Sequence, residues 1–167
     1  MSSNLPKYVF TEEGVAVMSN CMCHQEAATS IFGDIKILNK GFIELKTNAD
    51  GKVDFELHAV IAEGHINEAC ENSPEVRKAI HDLLLCEANH AEYVLTFSRF
   101  IIFPSELSHK DISDHLFYDY VIKGAGHVVF ELVNGKPHAR VYGESAELKM
   151  QANKVDEEIL NNGFFFE

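Results

Sequence analysis

Two groups of residues in this chain carry side chains capable of chemistry. Glu87 and His90 stand three apart, a spacing at which a carboxylate and an imidazole on one helix face can pass a proton or hold one ion. His127, Glu131, His138, Arg140 and Tyr142 form the second group, because they become neighbours if the segment 127–142 is a hairpin. Together the seven could build the polar wall of a ligand pocket, or a metal-assisted or acid–base centre. Cys21-Met-Cys23-His24 is the densest run of potential metal ligands. Zinc sites usually space their first two cysteines by about two to four residues and take a second ligand pair from elsewhere. One intervening residue does not match, so no metal is expected. Cys21, Cys23, Cys70 and Cys86 are read as reduced, buried thiols.

The elements that must position these residues start with the stretch from Pro74 to Phe103. Ser73 is a good N-cap, Pro74 suits the first helical position, and Glu75 meets the positive end of the helix dipole. Val76, Ala79, Ile80, Leu83 and Leu84 recur on one helical face, with Arg77, Lys78, His81 and Asp82 on the other. The pattern predicts one main amphipathic helix over about 74–90. Kept in phase past Cys86, it turns Glu87 and His90 inward with the apolar face; ended near Cys86, it leaves both side chains in solvent. Tyr93 to Phe103 is β-branched and aromatic at nearly every position and predicts a single central strand, covered on both faces and ended by Pro104.

Two hairpins can be registered from chemistry alone. A loop Ala49-Asp50-Gly51 pairs Lys46 with Asp54, Leu45 with Phe55 and Ile43 with Leu57, leaving one face apolar and one charged. Asn134-Gly135 pairs Phe130 with Ala139 and Val128 with Val141 on one face. It pairs Glu131 with His138 and His127 with Tyr142 on the other, where Arg140 lies opposite Val129. Asn39-Lys-Gly41 is read as a turn before a strand at 42–46, and Gly124-Ala-Gly126 as a bend after a strand at 116–123. Glu63 to Asn72 reads as a connection, and Ser105 to Asp114 as a short helix. Asp34 and Gly41 align with Asp119 and Gly126 at one offset, each followed by a hairpin containing Gly-Lys, which suggests a weak internal repeat.

Residues 1–7 read as a flexible arm. Thr11 is expected to cap a helix with Glu12 and Glu13 in its first turn and Val15, Met18 and Met22 along one side. The run Tyr8-Val-Phe-Thr-Glu-Glu-Gly-Val-Ala-Val-Met-Ser19 resembles a short segment of the amino-terminal domains of phage antirepressor proteins, where it is part of a DNA-binding unit. The likeness spans about a dozen residues, the rest of that domain has no counterpart, and no function is carried over. At the other end, residues 145–162 are weakly amphipathic. The apolar tail 163–167, with Phe164-Phe165-Phe166, needs burial, either over its own sheet or against a second copy.

A chain of 167 residues suits one domain with a sizeable core, and 46% hydrophobic with 24% charged residues is ordinary for a globular protein. The net charge of −12, without any basic run, argues against nucleic acid as a partner. No long apolar stretch or signal-peptide pattern stands in the sequence, so a cytoplasmic protein without membrane contact is expected. No P-loop, Gly-x-Ser-x-Gly elbow or His-Glu-x-x-His motif occurs.

These readings predict an α+β fold. A single domain, 1–167, would hold a predominantly antiparallel sheet with the 74–90 helix packed on one face and shorter helices near the termini. The function expected is a binding module for a small ligand or partner protein, with no cofactor, assembling as a homo-oligomer. The alternatives are an enzyme using Glu87 and His90 with the polar face of the 127–142 hairpin, and a structural homo-oligomeric subunit.

Overall fold

The computed structural model describes residues 5–33, 35–59, 74–96, 99–107, 109–116 and 121–164. Its main element is an eight-stranded sheet, antiparallel at every pairing, that curls into a half-barrel. In chain order the elements are β1 Lys7–Thr11, β2 Gly14–Met18, α1 His24–Phe32, β3 Ile37–Thr47, β4 Val53–Ala59 and α2 Pro74–Leu84. There follow β5 Glu92–Leu95, β6 Phe100–Phe103, α3 His109–Leu116, β7 Gly124–Val133 and β8 Lys136–Tyr142. Two short strands, β9 Glu144–Ser145 and β10 Met150–Gln151, pair with each other before α4 Lys154–Phe164.

The strand order, β4-β3-β1-β2-β6-β5-β7-β8, reads the same from either edge when β1–β4 are exchanged for β5–β8. Two ββαββα units meet where β2 pairs with β6, Val17 opposite Ile102. Tyr8-Val-Phe-Thr11 and Tyr93-Val-Leu-Thr96 are equivalent, and Gly41 and Gly126 hold equivalent places in β3 and β7, at the offset of 85 positions that the sequence suggested. Asp34 and Asp119 lie outside the described residues. The four central strands, β1, β2, β5 and β6, are buried on both faces, which is why they are largely apolar. On one face α2 and α4 pack on Tyr8, Val17, Ile43, Tyr93, Ile102 and Phe130; on the other, α1 and α3 cover Val9, Met18, Val94, Ile101 and Phe103.

The second and fourth helices also close the sheet edges, where unpaired backbone groups would otherwise be left open. Arg77 of α2 donates to the Phe55 carbonyl of β4 at 3.2 Å and pairs with Asp54 at 3.3 Å. On α4, Glu157 accepts from the Val141 amide of β8 at 3.2 Å, and Asn161 accepts from the Ala139 amide at 2.8 Å. Curling brings the two hairpins together, so that the Thr47 hydroxyl donates to the Gly135 carbonyl at 2.8 Å.

Both hairpin registers are as the turn chemistry predicts, pair for pair. Other expectations are corrected. Four helices are present among the described residues, not one main helix with minor companions. The helix starting at Pro74 ends at Leu84, because the Asn89 side chain donates to the terminal Asp82 carbonyl at 3.0 Å and Cys86 is extended. Glu87–Asn89 is a separate 3₁₀ turn. The stretch from Tyr93 to Phe103 is two strands, since Thr96 closes a turn on Arg99 through its amide and its hydroxyl. Thr11 caps no helix; it ends β1, and the β-branched and aromatic residues on both sides of Glu12-Glu13 pair as a hairpin.

The sheet also runs straight through Asn39–Gly41 and Gly124–Gly126, because β1 and β5 supply hydrogen-bonding partners along both segments. The expected 105–114 helix is α3, shifted to 109–116, so Leu116 is helical; residues 121–123 are not in a strand, and the rest of the strand read at 116–123 lies outside the described residues. Cys21 and Cys23 are exposed rather than buried, lying in the loop before α1. Phe164 docks in its own chain, its ring 4.6 Å from Phe130 and 5.3 Å from Phe100. The Ser73 cap, the 63–72 connection, Cys70, Phe165 and Phe166 fall outside the described residues. No described helix is long and apolar enough to cross a membrane.

Candidate functional site

Register and turn together gather six of the seven residues singled out in the sequence. Because the helix has ended, Glu87 and His90 are exposed on the turn rather than aimed into the core. Arg140 bridges two carboxylates, Glu87 at 2.6 Å and Glu131 at 3.0 Å. Partial burial works against its charge, but these two acids outweigh it and raise its pKa. The Tyr142 hydroxyl donates to the Glu87 carbonyl at 3.4 Å and lies 3.2 Å from His90 Nδ1. His127 donates through Nδ1 to the His90 carbonyl at 3.0 Å and stacks on Tyr142. The seventh residue, His138, turns instead to Glu157 of α4, 3.2 Å away. These groups satisfy one another, which makes the patch a cross-linked polar surface tying the turn to the hairpin.

Beneath it lies a pair that the sequence reading did not select. Glu92 on β5 faces His127 across the sheet, and His109 opens α3 directly above. The His109 ring, only 5% exposed, has Nε2 3.0 Å from the Gly126 carbonyl, an acceptor, so Nε2 carries the proton. That leaves the Nδ1 lone pair 3.7 Å from Glu92 Oε1, which is buried without a hydrogen-bond partner. Burial, followed by the nearby charges of Glu147 and Glu106, pushes the Glu92 carboxyl up to about 8. Burial also lowers His109, against the support of its bond to Gly126. At neutral pH a protonated acid therefore faces a neutral base. Two signals in the sequence pointed here: Glu106-Leu-Ser-His109 repeats the spacing of Glu87-Ala-Asn-His90, and the strand alternation puts Glu92 on the same face as the buried Val94.

A groove of about 800 Å³ opens next to the polar patch. It lies among the β1–β2 turn, the carboxyl ends of α1 and α2, the 88–91 turn and residues 104–107. Val15, Ile31, Phe32, Leu83 and Pro104 give it apolar walls, Glu13, Asp82 and Glu106 contribute carboxylates, and His90 joins it to the network above. Metal chemistry has less support. Among the described residues, the group able to bring three ligand atoms within 4.8 Å is Glu44, Glu56 and His58 on β3 and β4. Both acids are exposed, and Lys46 already pairs with Glu56. Cys21, Cys23 and His24 do not converge: the His24 ring is turned to the Gly41 carbonyl, 2.9 Å away.

No family model, curated protein or solved structure matches this chain. Its functional reading therefore rests on these residues.

Proposed function

We propose that this protein is a binding module for a small ligand, seated in the groove between the β1–β2 turn and the carboxyl end of α2. The supporting observation is the groove itself: about 800 Å³ of space with apolar walls and a few polar groups at its margin, the composition of small-molecule sites. The Glu87–His90 turn forms one side of it, and Arg140 and Tyr142 brace that turn from the hairpin. In this reading the polar patch is the frame of the pocket rather than its floor.

The test is a titration of isotope-labelled protein with small aromatic and alkyl compounds of positive, negative and zero charge, followed by amide chemical shifts. Saturable shifts at Gly14, Phe32, Leu83, Ala91 and Leu107 are expected. No saturable shift there from any charge class at millimolar concentration would remove this reading.

A second reading, an acid–base enzyme, is supported by Glu92 and His109 and not by the self-satisfied Glu87 and His90 originally singled out. It requires that a substrate reach a carboxyl whose side chain is 13% exposed. Slow hydrogen–deuterium exchange across α3, together with unchanged turnover of any substrate found when Glu92 is made Gln, would exclude it.

A further inference from the structure

Comparison of the two halves of the fold shows why the groove is open and what it would select. At the place of Val15 in β2, the second half carries Phe100 in β6; at the place of Leu83 in α2, α4 carries Gly163. There the Phe100 ring covers the helix, so closely that a Cβ on Gly163 would lie 2.6 Å from Phe100 Cε2. Phe164 completes the packing by stacking on the same ring. The second half has thus filled with aromatic rings the space that the first half leaves between Val15, Ala79 and Leu83.

The charged side chains that line the open space are acidic. Glu13, Asp82 and Glu106 line it, and none of the sixteen described residues that line it is Lys or Arg. Asp82 is engaged by Lys78 at 2.7 Å. Glu13 and Glu106 have no cationic partner among the described residues, in a chain of net charge −12. Wherever an apolar body settles against Val15, Phe32 and Leu83, a positive group at its end meets carboxylates, and a negative one is repelled.

We propose that the groove takes a compact apolar ligand carrying an amine cation. This rests on the reading of the groove as a small-ligand site and adds the class of ligand. The probes are three compounds of one shape: 2-phenylethylammonium, 2-phenylethanol and phenylacetate, each titrated against the full chain by calorimetry and amide shifts.

The ammonium should bind at least about fivefold more tightly than the alcohol at low salt, with the advantage shrinking as salt screens the exposed acids. Phenylacetate should bind weakest. Glu13→Gln with Glu106→Gln should bring ammonium and alcohol to near-equal affinity without altering the alcohol. Val15→Phe paired with Leu83→Gly, which installs both residues of the second half and so gives the ring the room that Gly163 provides there, should abolish binding of both. Ala79→Ile, copying Ile159, narrows the same space and serves if that double variant misfolds. Equal binding of all three probes, or tighter binding of phenylacetate, would overturn the ligand class and leave the groove standing. Binding of none of them would overturn both.

Discussion

His24 and His109 make the same bond in the two halves of the fold: each directs Nε2 to the carbonyl of the glycine seventeen residues on, Gly41 at 2.9 Å and Gly126 at 3.0 Å. Each ring also meets the next residue edge-on at 6.0 Å, Phe42 in the first half and His127 in the second. Burial lowers the pKa of both imidazoles, and each serves as a neutral buttress between helix and sheet. What differs is the residue on the first strand. Lys7 stands where the second half has Glu92, and only the second half therefore faces its imidazole with an acid.

The pH dependence of stability should report that acid. A carboxyl whose pKa is raised by folding favours the folded state in its protonated form, so its contribution is complete below the unfolded pKa and declines as pH rises to about 8. Relative to Glu92→Gln, whose amide mimics the protonated acid, the wild type should lose on the order of 1–3 kcal/mol between pH 5 and pH 8.5. His109 stands in both proteins, so the difference reports the Glu92 carboxyl together with its contact to that ring. Urea unfolding at the two pH values measures it; a gap that does not change with pH would place Glu92 in water.

Two buried tyrosines offer a second comparison. The Tyr8 hydroxyl donates to Asn39 Oδ1 at 2.6 Å, and the Tyr93 hydroxyl donates to Asp156 Oδ2 at 2.6 Å. Gly124 holds the place of Asn39 in the second half, and the Asp156 carboxylate fills the space, so a Cβ on Gly124 would overlap its Oδ1. Gly124→Ala should cost about 2–4 kcal/mol by overpacking and by disturbing a buried bond. In an Asp156→Ala background the same change should cost less than half as much, and additive losses in the double-mutant cycle would contradict the contact.

The two faces of the β7–β8 hairpin should respond oppositely to charge changes. Phe130→Asp places an unpaired carboxylate in a core position that is 3% exposed, with an expected loss above about 4 kcal/mol or failure to fold. Glu131→Ala removes only an exposed partner of Arg140 and should cost under about 1 kcal/mol. Chemical denaturation of both variants checks the pair, and equal losses would be incompatible with the register.

Native-state thiol labelling should detect Cys21 and Cys23 without denaturant, because both are exposed. Substituting both by Ser should remove a fast phase of two equivalents. Persistence of that phase in the double variant would mean that the loop before α1 is covered.

Sequence alone determined the features whose causes are local. The hairpins at Ala49-Asp50-Gly51 and Asn134-Gly135 were legible because a two-residue side-chain period and a turn residue fix a register within a dozen positions. The start of α2 at Pro74 was legible for the same reason, and so was the polar surface of β7 and β8. Tertiary structure decided the rest. Thr11-Glu-Glu is a sound helix start, yet β3 and β6 take up β1 and β2 as strands, and pairing outweighs a weak local preference. Glu87 and His90 depended on the phase of a helix that ends early once Asn89 reaches back to Asp82. Glu92 and His109 meet only because α3 lies across β5, and the groove is walled by residues from both halves of the chain. Such contacts join positions far apart in sequence, where neither periodicity nor turn chemistry carries information.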